Sequence, residues 1–89
     1  MDPNLFHLKI VAKDGLLFEG DIKSLTSYND KGRFDILAYH ANFISIIYKS
    51  ITIVDAKDEK KEMTIQKALL KNKSNNLEIY LGIDDIVPR

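Results

Sequence analysis

Phe6-His7-Leu8-Lys9-Ile10 alternates apolar and polar side chains, and the turn-forming stretch Lys13-Asp14-Gly15 follows shortly after it. In an extended strand every second side chain shares a face, so one set is predicted to face a core and the other to face outward. An Asp-Gly pair is a frequent hairpin turn, and the alternation resumes after it through Phe18. The chain is therefore predicted to begin with an antiparallel β-hairpin.

The same alternation recurs along the chain, with a short apolar-polar segment every eight to twelve residues and turn-prone clusters between them. This spacing predicts an all-β sandwich or barrel. Gly20 is predicted to mark a bulge or a corner between sheets, and the aperiodic stretch 37–42 is predicted to cross from one sheet to the other. The stretch 65–71 contains good helix formers but is too short for a stable helix and lacks an N-cap, so a strand is predicted there.

The chain has 89 residues, of which 45% are apolar and none is cysteine. This length predicts one domain spanning residues 1–89 that is stabilised by a hydrophobic core, and the absence of cysteine fits a reducing compartment. Lys and Arg number 13, as do Asp and Glu, and the balance holds in each half of the chain. No basic face is indicated, so nucleic-acid binding is not expected.

The N-terminal residues carry no cationic stretch before an apolar run, and no apolar run is long enough to span a bilayer. Neither a signal peptide nor direct membrane insertion is expected.

Residues for catalysis or metal binding are sparse. No cysteine is present, no phosphate-binding glycine loop occurs, and His7 and His40 have no ligand at the spacing of a zinc site. His7 is predicted to be a surface imidazole, while His40 has either a structural role, the stronger alternative, or an interface role. Asp84 and Asp85 are predicted to form a solvated end. No catalytic residue, metal or cofactor is therefore predicted, and the residues alone indicate a β domain without an active site.

Three stretches carry a resemblance to a known family: Phe6–Val11, Leu17–Ile22 and above all Gly32–Ala41. In order and spacing they resemble the N-terminal domain of the epsilon subunit of F-type ATP synthase, including that family's "G-x-F-G-I-L-P-x-H-A-P" stretch. The resemblance covers residues 5 to 83, and Leu77–Leu81 falls where the family's closing strand falls.

The chain departs from the family pattern at several special backbone positions. Asp35 stands where the family has glycine, Ala38 and Asn42 stand for prolines, Ser50 replaces a turn glycine, and Lys67-Ala68 replaces a glycine pair. The apolar alternation survives these changes, so the resemblance still implies the fold, while the loop conformations are expected to differ.

The resemblance implies a flattened β-sandwich of roughly ten short strands. It implies a non-catalytic rotor subunit that binds the gamma subunit, rests on the c-ring and couples their rotation in proton-driven ATP synthesis. Its location would be cytoplasmic, peripheral on the inner face of the cell membrane within the complex. The residues implied to face the ring are Asn29, Asp30, Lys31, Gly32, Arg33, His40, Ala41 and Asn42. Arg33 stands where the family's ring-facing loop commonly carries an acidic residue. Either Asp30 or Asp35 therefore provides the negative charge that faces the ring, or the ring loop has changed as well.

The family's C-terminal helical hairpin is not expected within this chain, which ends at Arg89. Either the chain is complete or the hairpin belongs to a part removed from it. A second hypothesis from the same departures is a stand-alone β-sandwich that binds another protein or a carbohydrate. A third, an enzyme using His40 with Asp35 or Asp30, ranks last.

Overall fold

The computed structural model describes residues 3–82, which form six β-strands and no helix. The strands are β1 (Phe6–Ala12), β2 (Gly15–Asn29), β3 (Gly32–Leu37), β4 (Phe43–Asp55), β5 (Lys60–Lys73) and β6 (Asn76–Leu81). The predicted all-β class is thus confirmed for the described residues. The stretch 65–71 lies inside β5, as predicted, because its apolar side chains alternate between core and surface. No helix in residues 3–82 is long and apolar enough to cross a bilayer.

The strands close on themselves in the order β1-β6-β5-β4-β2, with a second pairing between β1 and β2, and β3 pairs with β2 outside this ring. Among the strands of residues 3–82, only β1 and β6 pair in parallel. The other pairings are antiparallel. Four of them join consecutive strands through short turns, whereas the β2–β4 pair is separated in the chain by β3. The predicted Asp-Gly hairpin joins β1 to β2. Gly15 in this turn has a φ of 128°, a backbone conformation that would be strained in a residue with a side chain.

The expected count of about ten short strands is not confirmed, because three strands are long and each contributes to both halves of the sandwich. β2 has 15 residues; its first part pairs with β1 and its second part, from Ile22, pairs with β4 and β3. β4 and β5 shift register between Tyr48 and Lys49, where Lys49 has a φ of 72°. Such bulges bend a strand without ending it, so the alternation changes phase while the strand continues.

Gly20 itself is not a bulge. It pairs in register with Leu8, and the strand changes partner two residues later at Ile22. The β1–β2 bulge lies instead at Leu17, where the register shifts between Ile10 and Val11. Gly20 therefore carries no bulge, and the corner alternative stays a prediction, next to the point where β2 passes from β1 to β4.

One hydrophobic core lies inside the closed ring of strands. It contains buried side chains from all six strands. Its fully buried members include Leu8, Leu25, Ile36, Leu70 and Ile79. Every buried side-chain nitrogen or oxygen of the described residues has a hydrogen-bond partner. The core therefore offers no unsatisfied polar group for binding, and the candidate functional surfaces are the outer faces and the turns.

The stretch 37–42 was predicted to cross between sheets. Leu37 instead ends β3, and residues 38–42 form an irregular link from β3 to β4, which lie on opposite sides of β2. The charged stretch 57–62 is divided between two elements: its first residues form the β4–β5 turn and residues 60–62 begin β5. In that turn the Oδ1 atom of Asp55 accepts the amide protons of Glu59 and Lys57, each at 2.9 Å. These bonds, that from Glu59 first, hold the pKa of Asp55 below its ordinary value. Asp84 and Asp85 lie outside the described residues.

Candidate partner interface

The first predicted segment, Asn29–Arg33, forms the tight turn between β2 and β3. The side chain of Asn29 accepts the amide proton of Lys31 at 2.9 Å, which is the local bond that makes asparagine favourable in turns. Gly32 has a φ of 117°, and its absent side chain would meet open space, so backbone conformation and not crowding requires glycine. The turn projects Asp30, Lys31 and Arg33, all of which are exposed.

Arg33 is not a lone cation. Its guanidinium lies 3.7 Å from the carboxylate of Asp35, two positions along β3 on the same face. Asp35 also accepts the hydroxyl proton of Thr26, the residue directly opposite on β2, at 2.6 Å. Asp35, at the position of the family's glycine, thus lies within ion-pair distance of Arg33, at the position of the family's acid.

The second predicted segment, His40–Asn42, is exposed but firmly attached to the turn between β5 and β6. The side-chain amide of Asn72 donates to the carbonyl oxygens of His40 at 3.2 Å and Ala41 at 3.1 Å. Asn42 accepts the amide proton of Ser74 at 2.9 Å. This segment is therefore held by side-chain bonds, although it belongs to no strand.

Just before that segment, Tyr39 is also bound to the same turn. Asn75 accepts its amide proton at 2.6 Å, its φ is 65°, and its side chain is 73% exposed. A bulky residue with positive φ is uncommon and strained. The fixed backbone therefore presents an aromatic side chain beside the predicted interface.

The two predicted segments are connected through aromatic rings at the edge formed by β3 and the start of β4. The rings of Phe34 and Phe43 pack edge to face with centroids 6.0 Å apart, and the ring of His40 lies 5.0 Å from that of Phe43. Phe34 follows the first segment and Phe43 follows the second. The structure thus couples the two segments through packing, and the role of His40 is structural in part.

The sequence analysis did not predict the contribution of Asn72 and Asn75, whose side chains hold the backbone of residues 39–41. Asn72 is 3% exposed. A signal was present, because Asn72 continues the core-facing series of Ala68 and Leu70 on β5, and a buried amide needs polar partners.

His7 is also more than a surface imidazole. Its ring nitrogens lie 2.9 Å from a carboxylate oxygen of Glu19 and 3.3 Å from one of Asp21 across the β1–β2 pair. The hydrogen bond with Glu19, supported by Asp21, raises the pKa of His7 above its ordinary value despite partial desolvation. Within residues 3–82 no group of three or more His, Cys, Asp or Glu side chains is arranged to hold a metal ion.

A small apolar cleft of about 140 Å³ opens beside the β1–β2 bulge, between Leu17, Phe18 and Met63. The amino group of Lys61 lies over the Phe18 ring, 5.8 Å from its centroid. The cleft is too small to enclose most ligands, so it is not a candidate active site.

Comparison with known proteins gives consistent results. A sequence profile of the family described as "ATP synthase, Delta/Epsilon chain, beta-sandwich domain" matches residues 5–82. The chain is 36% identical over 76 residues to the ATP synthase epsilon chain of Clostridium botulinum (strain Eklund 17B / Type B), covering 84% of this chain and 57% of that one. It is 36% identical over 58 residues to the ATP synthase epsilon chain of Nitratiruptor sp., covering 65% and 45%. The chain thus spans about half the length of these relatives.

Among solved structures, the fold resembles a chain in the mitochondrial ATP synthase of Euglena gracilis, a structure of OSCP, F1 and c-ring, with a TM-score of 0.79. The two are 14% identical, and the match covers 91% of this chain and 52% of the other. A chain in the central stalk and c-ring structure of the Tetrahymena thermophila mitochondrial ATP synthase gives a TM-score of 0.67 at 8% identity, covering 83% and 60%. At these identities the likeness concerns the fold.

Proposed function

The chain belongs to the β-sandwich domain family of ATP synthase delta and epsilon chains, and we propose that it is a non-catalytic central-stalk subunit of an F-type ATP synthase. In this role it couples rotation of the gamma subunit and the c-ring during proton-driven ATP synthesis. The observation that carries the proposal is the family match over residues 5–82, nearly the whole chain. Residues 1–89 then form one epsilon-type domain.

The geometry supports a docking role. The described residues contain no metal-binding cluster. Among them, Asn72 is the one buried side chain that carries an amide, and it holds a surface loop in place. Rigid loops on a closed β-scaffold are suited to partner recognition because little conformational entropy is lost on binding. The subunit would lie at the inner face of the cell membrane as a peripheral part of the complex, without inserting into the bilayer.

For the ring-facing surface we retain the residues of the two attached segments: Asn29, Asp30, Lys31, Gly32, Arg33, His40, Ala41 and Asn42. The pairing of Arg33 with Asp35 supports this choice, since a partly neutralised arginine is less repelled by a cationic partner loop. The alternative of a stand-alone module for proteins or carbohydrates has no support in the comparisons, because the similar curated proteins described above are ATP synthase epsilon chains.

Binding of the chain to the gamma subunit and c-ring of its own organism tests the proposal. We expect association with gamma and retention of the c-ring with the gamma complex in a pull-down. Ala41→Trp adds bulk to an exposed part of the second segment and is expected to weaken ring binding by about tenfold or more while gamma binding persists. Ala56→Trp, at an exposed alanine of the β4–β5 turn, is the matched control. Absence of gamma binding at micromolar concentration would overturn the proposal.

A further inference from the structure

The strand β3 is an open edge of the sheet. Among the strands of residues 3–82 it pairs with β2 alone, whereas each of the other strands has neighbours on both sides over part of its length. Four of its six residues, Gly32, Arg33, Asp35 and Leu37, are exposed. An open edge strand presents backbone amide and carbonyl groups with which another strand pairs. β3 is therefore a candidate surface for strand addition.

The backbone groups that point away from β2 belong to every second residue of β3. The pair of residues that flanks the two-residue loop between β2 and β3 is joined by hydrogen bonds, so the backbone groups of Gly32 point toward β2. Backbone groups of successive residues point to opposite edges of a strand, and those of Arg33, Asp35 and Leu37 therefore point to the open edge. The carbonyl oxygen of Leu37 agrees with this, because it accepts the amide proton of His40, outside the sheet, at 3.2 Å.

The open edge carries one positive and one negative side chain on the same face. The side chains of Arg33 and Asp35 are 64% and 55% exposed, and their charged groups lie 3.7 Å apart, which is longer than a charge-assisted hydrogen bond. Such an exposed pair contributes little to the stability of one chain, so both charges are available to a second strand. A strand that presents the two charges in the reverse order complements this edge. A second copy of β3 that runs antiparallel to the first presents that order.

One register of two antiparallel copies matches these charges. A register that pairs Arg33 with itself, or Asp35 with itself, places like charges directly opposite each other, which is destabilising. A register that pairs Asp35 with Leu37 places a carboxylate opposite an apolar side chain. Pairing Arg33 with Asp35 of the second copy joins opposite charges on both sides of the two-fold axis, and it joins backbone groups that already point to the open edge. That axis then passes through Phe34.

The axis at Phe34 adds an apolar contact to the charged ones. Phe34 is partly buried against the core, and its ring packs edge to face on that of Phe43. In the charge-matched register the two copies of Phe34 form a pair without backbone hydrogen bonds, in which the Cα atoms lie about 4.5 Å apart. The two rings are therefore in contact, and aromatic cross-strand pairs stabilise a sheet.

We propose that β3 is a self-association surface through which two copies of this chain form a symmetric, antiparallel dimer centred on Phe34. One strand pair is smaller than a standard interface, so a weak and reversible dimer is expected, with a Kd on the order of 100 μM. This inference goes beyond the proposed function and does not depend on it. The dimer covers Gly32 and Arg33, which the proposed function places against the ring, so a dimeric copy and a ring-bound copy are alternative states.

Sedimentation equilibrium of the chain between about 10 μM and about 1 mM measures this association. We expect the unaltered chain to dimerise as its concentration rises. Arg33→Asp and Asp35→Arg each place like charges opposite each other in the dimer, and each is expected to raise the Kd by about tenfold or more. Lys57→Asp, at an exposed lysine of the β4–β5 turn, changes the net charge as much as Arg33→Asp does and is the matched control. It is expected to change the Kd by less than about twofold. Circular dichroism of each variant verifies the β fold.

An equimolar mixture of Arg33→Asp and Asp35→Arg tests the register itself. In the mixed dimer every carboxylate of the edge lies opposite a guanidinium, so the mixture is expected to associate within about threefold of the unaltered Kd, although neither variant does so alone. A mixture of Lys57→Asp and Asp35→Arg controls for general attraction between oppositely charged chains and is expected to remain weak. If the unaltered chain stays monomeric at about 1 mM, if both charge variants dimerise as it does, or if the first mixture fails to associate, the inference is wrong. None of these measurements involves gamma or the ring, so the proposed function stands in each case.

Discussion

The side-chain amide of Asn72 lies 3.1 Å from the carbonyl oxygen of Ala41, and this bond connects the core of the sandwich to the proposed ring-facing segment. Asn72 sits among buried apolar side chains of β5, so its amide is aligned by the strand and satisfied by the loop. The same side chain therefore contributes to stability and to the shape of the interface.

We expect Asn72→Ala to lower the free energy of unfolding by about 1 to 3 kcal/mol, because it removes two buried hydrogen bonds and leaves a small cavity. Urea unfolding measures this effect. Asn76→Ala is the control, since Asn76 is exposed and its side chain makes only a local turn bond to Ser74. Its effect should stay within about 0.5 kcal/mol, and equal losses in the two variants would contradict the proposed role of Asn72.

Asp35 offers a test of the departure from the family's glycine. We expect Asp35→Gly to destabilise this chain by about 1 kcal/mol, because glycine weakens a strand and the bond from Thr26 is lost. Asp35→Asn keeps a side-chain acceptor for Thr26 and should recover part of the loss. Thermal unfolding followed by circular dichroism compares the three proteins. Greater stability of the glycine variant would show that the aspartate is a strained replacement.

Much of the fold followed from the sequence, because alternation directly reports which side chains face a core. The hairpin at Asp14-Gly15 and the assignment of 65–71 to a strand were both correct. The expected number of strands was not confirmed, for a physical reason. A bulge such as that between Tyr48 and Lys49 changes the phase of the alternation without ending the strand, so one long strand resembles two short ones.

The details of the candidate interface were less accessible. The eight residues were chosen by resemblance, and nothing in their own pattern predicted that Asn72 and Asn75 would hold the loop. Pairing register decides such contacts, and register depends on turns and bulges far along the chain. The same limit explains why the carboxylates beside His7 were not foreseen, since Glu19 and Asp21 meet it only across the β1–β2 pair.

The strained backbone at Tyr39 leads to a third prediction. Tyr39→Gly should be about 1 kcal/mol more stable than Tyr39→Ala, because only glycine adopts a φ of 65° without a steric cost. The tyrosine side chain is 73% exposed, so both variants lose little packing. Urea unfolding of the two variants provides the comparison. If the alanine variant is equally stable, the hydrogen bond that the residue-39 amide donates to Asn75 does not enforce this conformation.

The pairing of His7 with two carboxylates predicts a pH dependence of stability. Its pKa is raised in the folded chain, chiefly by the hydrogen bond with Glu19, so the protonated imidazole stabilises the fold. The contribution is fully present below the unfolded pKa of about 6.5 and is lost as the pH rises through the higher folded pKa. It should amount to less than about 1 kcal/mol, because the side chains of His7, Glu19 and Asp21 are 37%, 45% and 59% exposed and solvent screens the pairs.

Unfolding by urea at about pH 5.5 and about pH 8.5 measures the difference. His7→Gln, which cannot gain a proton, should remove this part of the difference, whereas His40→Gln should retain it. If His40→Gln loses this pH dependence and His7→Gln retains it, the effect comes from His40 and the prediction is wrong.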